Sequence, residues 1–254
     1  MFRVVIPARY DSVRLPGKAL RLIGGKPMVQ WVYERARAAG AREVLIATDD
    51  ARIAGAARAF GAEAAMTLAT HASGTDRIAE VAEARRWPER DIVVNLQGDE
   101  PLMPPALIAQ VAALLDAVPA ADIATLATRI GSVAELLDTN AVKVVTDATG
   151  RALYFSRAPI PWNRAGAGPG LASQTDFAGA RRHVGIYAYR VAALRRLAAL
   201  APGTLELREK LEQLRALEHG LHIQVADARE PPGPDVNTPA DLARVEALLG
   251  PGPD

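Results

Sequence analysis

FRVVIPARYDSVRLPGK, residues Phe2 to Lys18, contains the reading that decides the fold. Phe2 to Ile6 is a continuous apolar run with one interruption, the pattern of a strand buried on both faces rather than one. Pro7 ends it, and a basic, turn-forming loop follows. Outward from there, short apolar runs alternate with amphipathic stretches. The sequence predicts a helix from Pro27 to Ala39, with Gly40 as its stop, then a strand from Glu43 to Ala47 and a helix from Asp50 to Phe60. A strand Glu63 to Met66, helix Thr75 to Ala84, strand Asp91 to Leu96, helix Pro105 to Ala117 and strand Ile123 to Ala127 continue the series. Repeated βα units of this kind imply a Rossmann-like, doubly wound α/β fold.

The alternation weakens after about residue 128. Asn140 to Thr146 and Ala152 to Ser156 flank the turn Asp147-Ala148-Thr149-Gly150 and read as an antiparallel hairpin. Asn163 to Gly170, rich in Gly, Ala and Pro, reads as a surface loop. A strand Val184 to Tyr189, helices Val191 to Leu200 and Thr204 to Glu218, a strand Leu221 to Ala226 and a helix Pro239 to Leu249 complete the chain. The expectation is one α/β domain over residues 1–250, with a smaller lobe inserted at roughly 128–190 and a frayed tail at 251–254.

Composition narrows the function classes. With 30 Lys and Arg against 29 Asp and Glu, no basic excess points to nucleic acid or a membrane surface. An anion site must be built locally. The absence of cysteine excludes a disulfide scaffold, thiolate zinc ligation and a cysteine nucleophile. The start of the chain has no apolar core of a secretory leader, and no apolar run approaches the ~18 residues of a membrane span. A soluble, cytoplasmic protein is expected.

Three cations, Arg9, Arg14 and Lys18, fall in the loop after the first strand, at the carboxyl end where open α/β sheets bind ligands. Guanidinium forks and an ammonium suit a triphosphate, although a basic loop can equally be plain solvated surface. The loop is neither a Walker A motif nor GxGxxG. Asp99, in NLQGDEP (Asn95 to Pro101), projects where the Asp91 strand ends. Asp235, in PDVNTP (Pro234 to Pro239), offers a second carboxylate, which composition alone reads as a loop acid beside a helix cap. HASGTDR (His71 to Arg77) reads equally well as a ligand-facing segment or a helix N-cap.

Read together, PARYDSVRLPGKAL, GGKPM, ATDD, SGTDR, NLQGDEP and LEQLR resemble the 3-deoxy-manno-octulosonate (KDO) cytidylyltransferases. The motifs stand in family order from about Phe2 to Leu248. The resemblance implies a nucleotide-diphospho-sugar transferase type of fold with a mixed sheet and a dimerisation lobe. It also implies a homodimer, CTP and KDO as substrates and Mg²⁺ as cofactor. It makes Asp99 and Asp235 the metal ligands and, with Arg9 and Lys18, the catalytic set. Ser12, Arg14, Ser73, Arg77 and Gln97 join Arg9 and Lys18 in nucleotide binding, Gln97 reading the base. On the acceptor side it raises Arg157 as a carboxylate clamp and His183, Tyr187, Glu212 and Gln213 as partners for the sugar. Taken singly, those five are ordinary core or helix-face residues. The rival within the class is a cytidylyltransferase for another 2-keto acid sugar, such as a sialic acid. Asp11 departs from the small residue often found after the Arg-Tyr pair.

Overall fold

A computed structural model describes residues 1–11, 14–164, 168 and 170–249. The frayed tail expected at 251–254 and half of the 163–170 loop therefore lie outside the described residues. Strand β1 (Phe2–Pro7) is followed by a 3-10 turn at Lys18–Leu20, a small hairpin of β2 (Leu22–Ile23) and β3 (Lys26–Pro27), and helix α1 (Met28–Ala38). Pro27 closes that hairpin with an extended ψ of 141° and stands as the residue before the helix, not in its first turn. Gly40 stops the helix as expected, with φ of +77°.

The βα series then runs β4 (Glu43–Thr48), α2 (Ala51–Ala59), β5 (Glu63–Met66), α3 (Gly74–Ala84), β6 (Ile92–Asn95), α4 (Pro105–Ala117) and β7 (Ile123–Arg129). A short helix α5 (Val133–Leu137), the hairpin β8 (Lys143–Thr146) and β9 (Ala152–Ser156), and the long β10 (Arg181–Arg190) follow. Helices α6 (Val191–Ala199), α7 (Thr204–Glu209) and α8 (Gln213–Glu218), strand β11 (Ile223–Asp227) and helix α9 (Pro239–Leu249) end the described chain. Three expectations are corrected. Helix α5 was not foreseen. β10 begins at Arg181, where charged residues disguise a strand paired with β7. The single helix Thr204 to Glu218 is two helices, broken where Lys210 turns left-handed at φ 55°.

The main sheet has the order β11-β7-β10-β6-β1-β4-β5, with β8 and β9 attached through β10. β1 pairs parallel with both β4 and β6, whereas β10 runs antiparallel between β6 and β7. Alternate residues of β1 serve two cores. Val4 and Ile6 pack with α1 and α4 residues such as Val29 and Leu107. Val5 packs with α3 and α6 residues such as Ile78 and Leu194. The chain winds outward from β1 through β4 to β5, then returns to β1's other side as β6. That reversal leaves a crevice between the carboxyl ends of β1 and β6, the place where such sheets bind ligands.

Candidate active site

A cavity of about 480 Å³ opens at that crevice, lined by the loops after β1 and β6, the start of α3, and Asn237. Its cationic side holds Arg9, Arg14 and Lys18, and its opposite side His71, Ser73 and Arg77. Gly98 has to be glycine for the two loops to meet, since a Cβ there would lie 3.0 Å from the Pro7 carbonyl oxygen.

Asp99 and Asp235 come together by an identifiable route. Val236, fully buried, packs with Leu15, Ile23, Met28 and Val245, so the turn before α9 is pinned against the basic loop by a small core of its own. The Val236 amide donates to the Asp99 carbonyl oxygen at 2.9 Å. Gly233 passes so close to Leu102 that a Cβ would sit 2.5 Å from its backbone oxygen and side chain. Lys18 Nζ donates to Asp99 Oδ2 at 2.6 Å and to Asn237 Oδ1 at 3.3 Å. Arg14 reaches the same Asn237 oxygen at 3.0 Å. Asn237 in turn donates to Asp235. Asn237, which the sequence offers beside Thr238 as a cap of the last helix, is thus a site residue, and its place two residues after Asp235 was the available signal. The cap is Thr238, whose hydroxyl accepts from the Asp241 amide at 3.2 Å.

Crowding of carboxylates marks the spot electrically. Glu100 is pushed up to about 8, chiefly by burial and then by the charges of Asp99 and Asp235. Among the described residues no group of three or more His, Cys, Asp or Glu side chains is gathered around a potential metal position. Asp99 and Asp235, with Lys18 and Arg14 beside them, are carboxylates that could hold an ion completing its shell with phosphate oxygens.

The remaining sequence-predicted residues divide. Arg9 is exposed and makes no ion pair among the described residues, free to meet an anion. Ser12 lies outside the described residues. Asp11 is exposed, as a loop acid should be. Ser73 lines the cavity and also caps α3 in a capping box with Asp76. Its hydroxyl donates to Glu212 at 3.0 Å, so this side chain is already engaged. Arg77 lines the cavity but is buried and paired with Asp49 at 3.0 Å. Gln97 spends its NH2 on Asn95 at 3.0 Å and has its carbonyl oxygen left to offer.

Of the residues expected to meet the sugar, Glu212 accepts from the Ser73 hydroxyl and from the Thr75 hydroxyl, the latter at 2.8 Å. Burial raises the Glu212 carboxyl, and those two hydroxyls offset part of the shift. Gln213 follows it, buried, at the start of α8. Tyr187 belongs to an aromatic row with His183 and Tyr189, centroids 5.2 and 5.8 Å away. Burial pushes the His183 imidazole down to about 3, though the residue keeps some exposure. Its Nε2 lies 3.0 Å from the Thr125 hydroxyl. Arg157 is not part of the cavity lining, and its guanidinium is spent on the carbonyls of Glu209 (2.7 Å) and Thr139 (2.9 Å).

Comparison with known proteins places this geometry. A family model described as cytidylyltransferase matches residues 3–223. The chain is 55% identical over 248 residues to the 3-deoxy-manno-octulosonate cytidylyltransferase of Thioalkalivibrio sulfidiphilus, covering 98% of each chain. It is 56% identical over 252 residues to the enzyme of the same name from Pseudomonas syringae pv. tomato, again covering 98% of each. Among solved structures it is similar to a CMP:2-keto-3-deoxy-manno-octonic acid synthetase complexed with CTP, with a TM-score of 0.87, 44% identity and 98% of both chains covered. A nucleotidyl transferase from Methanothermobacter shares the fold alone, at a TM-score of 0.63 and 15% identity over 98% of this chain and 97% of that one.

Proposed function

We infer the reaction from one premise: this chain belongs to the cytidylyltransferase family, among the 3-deoxy-manno-octulosonate cytidylyltransferases. It joins CTP and KDO to give CMP-KDO and pyrophosphate. The observation that carries this reading to particular residues is that Lys18, in the cavity of about 480 Å³, bonds both Asp99 and Asn237, and Asn237 in turn holds Asp235.

In our reading the anomeric hydroxyl of the sugar attacks the α-phosphorus in line, and the bond to the bridging oxygen of pyrophosphate breaks. The protein's part in such a transfer is positioning and charge stabilisation. Arg9, Arg14 and Lys18 neutralise the charge that grows on the departing pyrophosphate. Gln97 reads cytosine through its free carbonyl oxygen, which can accept from the exocyclic amine. Asp99 and Asp235 would hold Mg²⁺. When bound, that ion supplies a Lewis acid for the phosphate and acidifies the hydroxyl. Glu212 and Gln213, with His183 and Tyr187 behind them, form the wall that receives the sugar. Arg157 frames that wall, its own guanidinium engaged with backbone.

We place the enzyme in the cytoplasm as a homodimer, its product feeding lipopolysaccharide assembly. Support for the dimer is the apolar surface of the inserted lobe, where Leu153, Trp162 and Leu171 are 59%, 42% and 60% exposed. Pyrophosphate release is the test, measured with Mg²⁺ and each of CTP, UTP, ATP and GTP against KDO and a sialic acid. Turnover confined to CTP and KDO supports the reading. Equal use of the four nucleotides removes the assignment of Gln97, and preference for the sialic acid overturns the acceptor.

A further inference from the structure

Lys143 is the largest side chain among those fully buried, and the reaction does not use it. A buried ammonium is costly unless its donors are matched. Here no carboxylate oxygen comes within ion-pair distance among the described residues. Instead Lys143 Nζ donates to two backbone carbonyls, of Asp138 at 2.8 Å and of Arg157 at 2.7 Å. The first closes the turn between α5 and β8. The second holds the chain as it leaves β9.

The chain held there is itself bound to the acceptor wall. Glu209, the last residue of α7, accepts from the Ser156 hydroxyl at 2.6 Å and from the Arg157 amide at 3.0 Å. Its own carbonyl accepts from Arg157 Nε at 2.7 Å. One residue later Lys210 turns left-handed, and Glu212 and Gln213 follow at once. The left-handed turn aims that pair, so the position of Glu209 sets where they point. Among the described residues β9 pairs in the sheet with β8 alone, and Lys143, together with the bond from Arg157 to the Thr139 carbonyl, fastens this junction.

We propose that Lys143 is a positioning residue for the acceptor: by clamping the Arg157 carbonyl it fixes Glu209, and through Glu209 the turn that presents Glu212 and Gln213 to the sugar. This rests on the assignment of the acceptor wall given above. No link of the network touches Arg9, Lys18 or Asp99; the network meets the nucleotide side at its far end alone, where Glu212 accepts from Ser73 and Thr75.

Lys143→Met tests it, because Met fills much the same slot without the ammonium. Initial rates are measured with each substrate varied in turn. The expected result is a rise of about tenfold or more in KM for the acid sugar, with KM for CTP within about twofold of the parent. Should Lys143→Met fail to fold, Glu209→Gln decides the matter, since it breaks the same chain of contacts from the helix side and is expected to give the same split. A lower Tm with both KM values unchanged would overturn the proposal and leave Lys143 a structural clamp. If the parent enzyme did not consume CTP and KDO at all, the acceptor assignment itself would fall, an outcome distinct from an unchanged split.

Discussion

Lys18 joins two distant segments by donating to Asp99, 81 residues further along the chain, and to Asn237, 219 residues further along. Its replacement by Ala should therefore weaken CTP binding by roughly 10- to 150-fold, the ~1.5–3 kcal/mol of a charge-assisted hydrogen bond. Isothermal titration with CTP measures this, and affinity near that of the parent would mean that Lys18 is solvated surface. His183 gives a pH prediction. Burial holds its folded pKa near 3, below the usual 6.5, so the unfolded chain takes up a proton first as pH falls. Its contribution is intact above 6.5 and is lost progressively from there towards 3. His183→Gln should flatten the pH dependence of stability in that window, by up to about 2 kcal/mol between pH 7 and pH 5. Guanidinium midpoints of the two proteins at both pH values check it, and parallel pH profiles would contradict it. The cationic loop was legible in the sequence because its spacing follows a strand. Asn237 was not, because Arg14 and Lys18, which bond its side chain, lie far away in the chain and its local setting reads as a cap.

Among the elements, those with a strong period were readable and those set by one backbone residue were not. β1, β4 and β6 are buried on both faces, and their unbroken apolar runs announce it. Helix α5 carries a capping signature, Ser132 to Glu135, with the Ser132 hydroxyl accepting from the Glu135 amide at 3.1 Å. Its brevity hid it. The break between α7 and α8 has no composition signal, because Lys210 takes a left-handed conformation that favours glycine. Lys210→Gly should relieve that strain and raise stability by about 0.5–1 kcal/mol in chemical denaturation, whereas Gly in a continuous helix would cost a similar amount. A destabilised Lys210→Gly would show that the turn needs the side chain. Just after the same break Glu212 accepts from Ser73 and Thr75, so on the proposed assignment a departure from helix geometry would serve the acceptor wall.

At the scale of the molecule, the order of strands explains why the site is where it is. Winding outward from β1 and returning to its other side leaves the crevice, and the two loops beside it carry the cations and Asp99. The inserted lobe should pair two copies. Sedimentation is expected to show a dimer, and Leu153→Lys with Leu171→Lys should shift it toward monomer, while an unchanged mass would move the interface elsewhere. The central claim is that Asp99 and Asp235, far apart in the chain, act as one metal-binding unit. Sequence patterning gave Asp99 a place at a strand end but left Asp235 an ordinary loop acid, since the small core around Val236 and the bonds through Lys18 and Asn237 that unite them come from distant segments. Mg²⁺-dependent turnover of Asp99→Asn, Asp235→Asn and the double variant, made with the fold checked by circular dichroism, tests this most directly. Each single change should cut turnover on the order of 100-fold, about 2.7 kcal/mol, and the double variant should be little worse than either. Losses that simply add, or a single variant as active as the parent, would contradict the account.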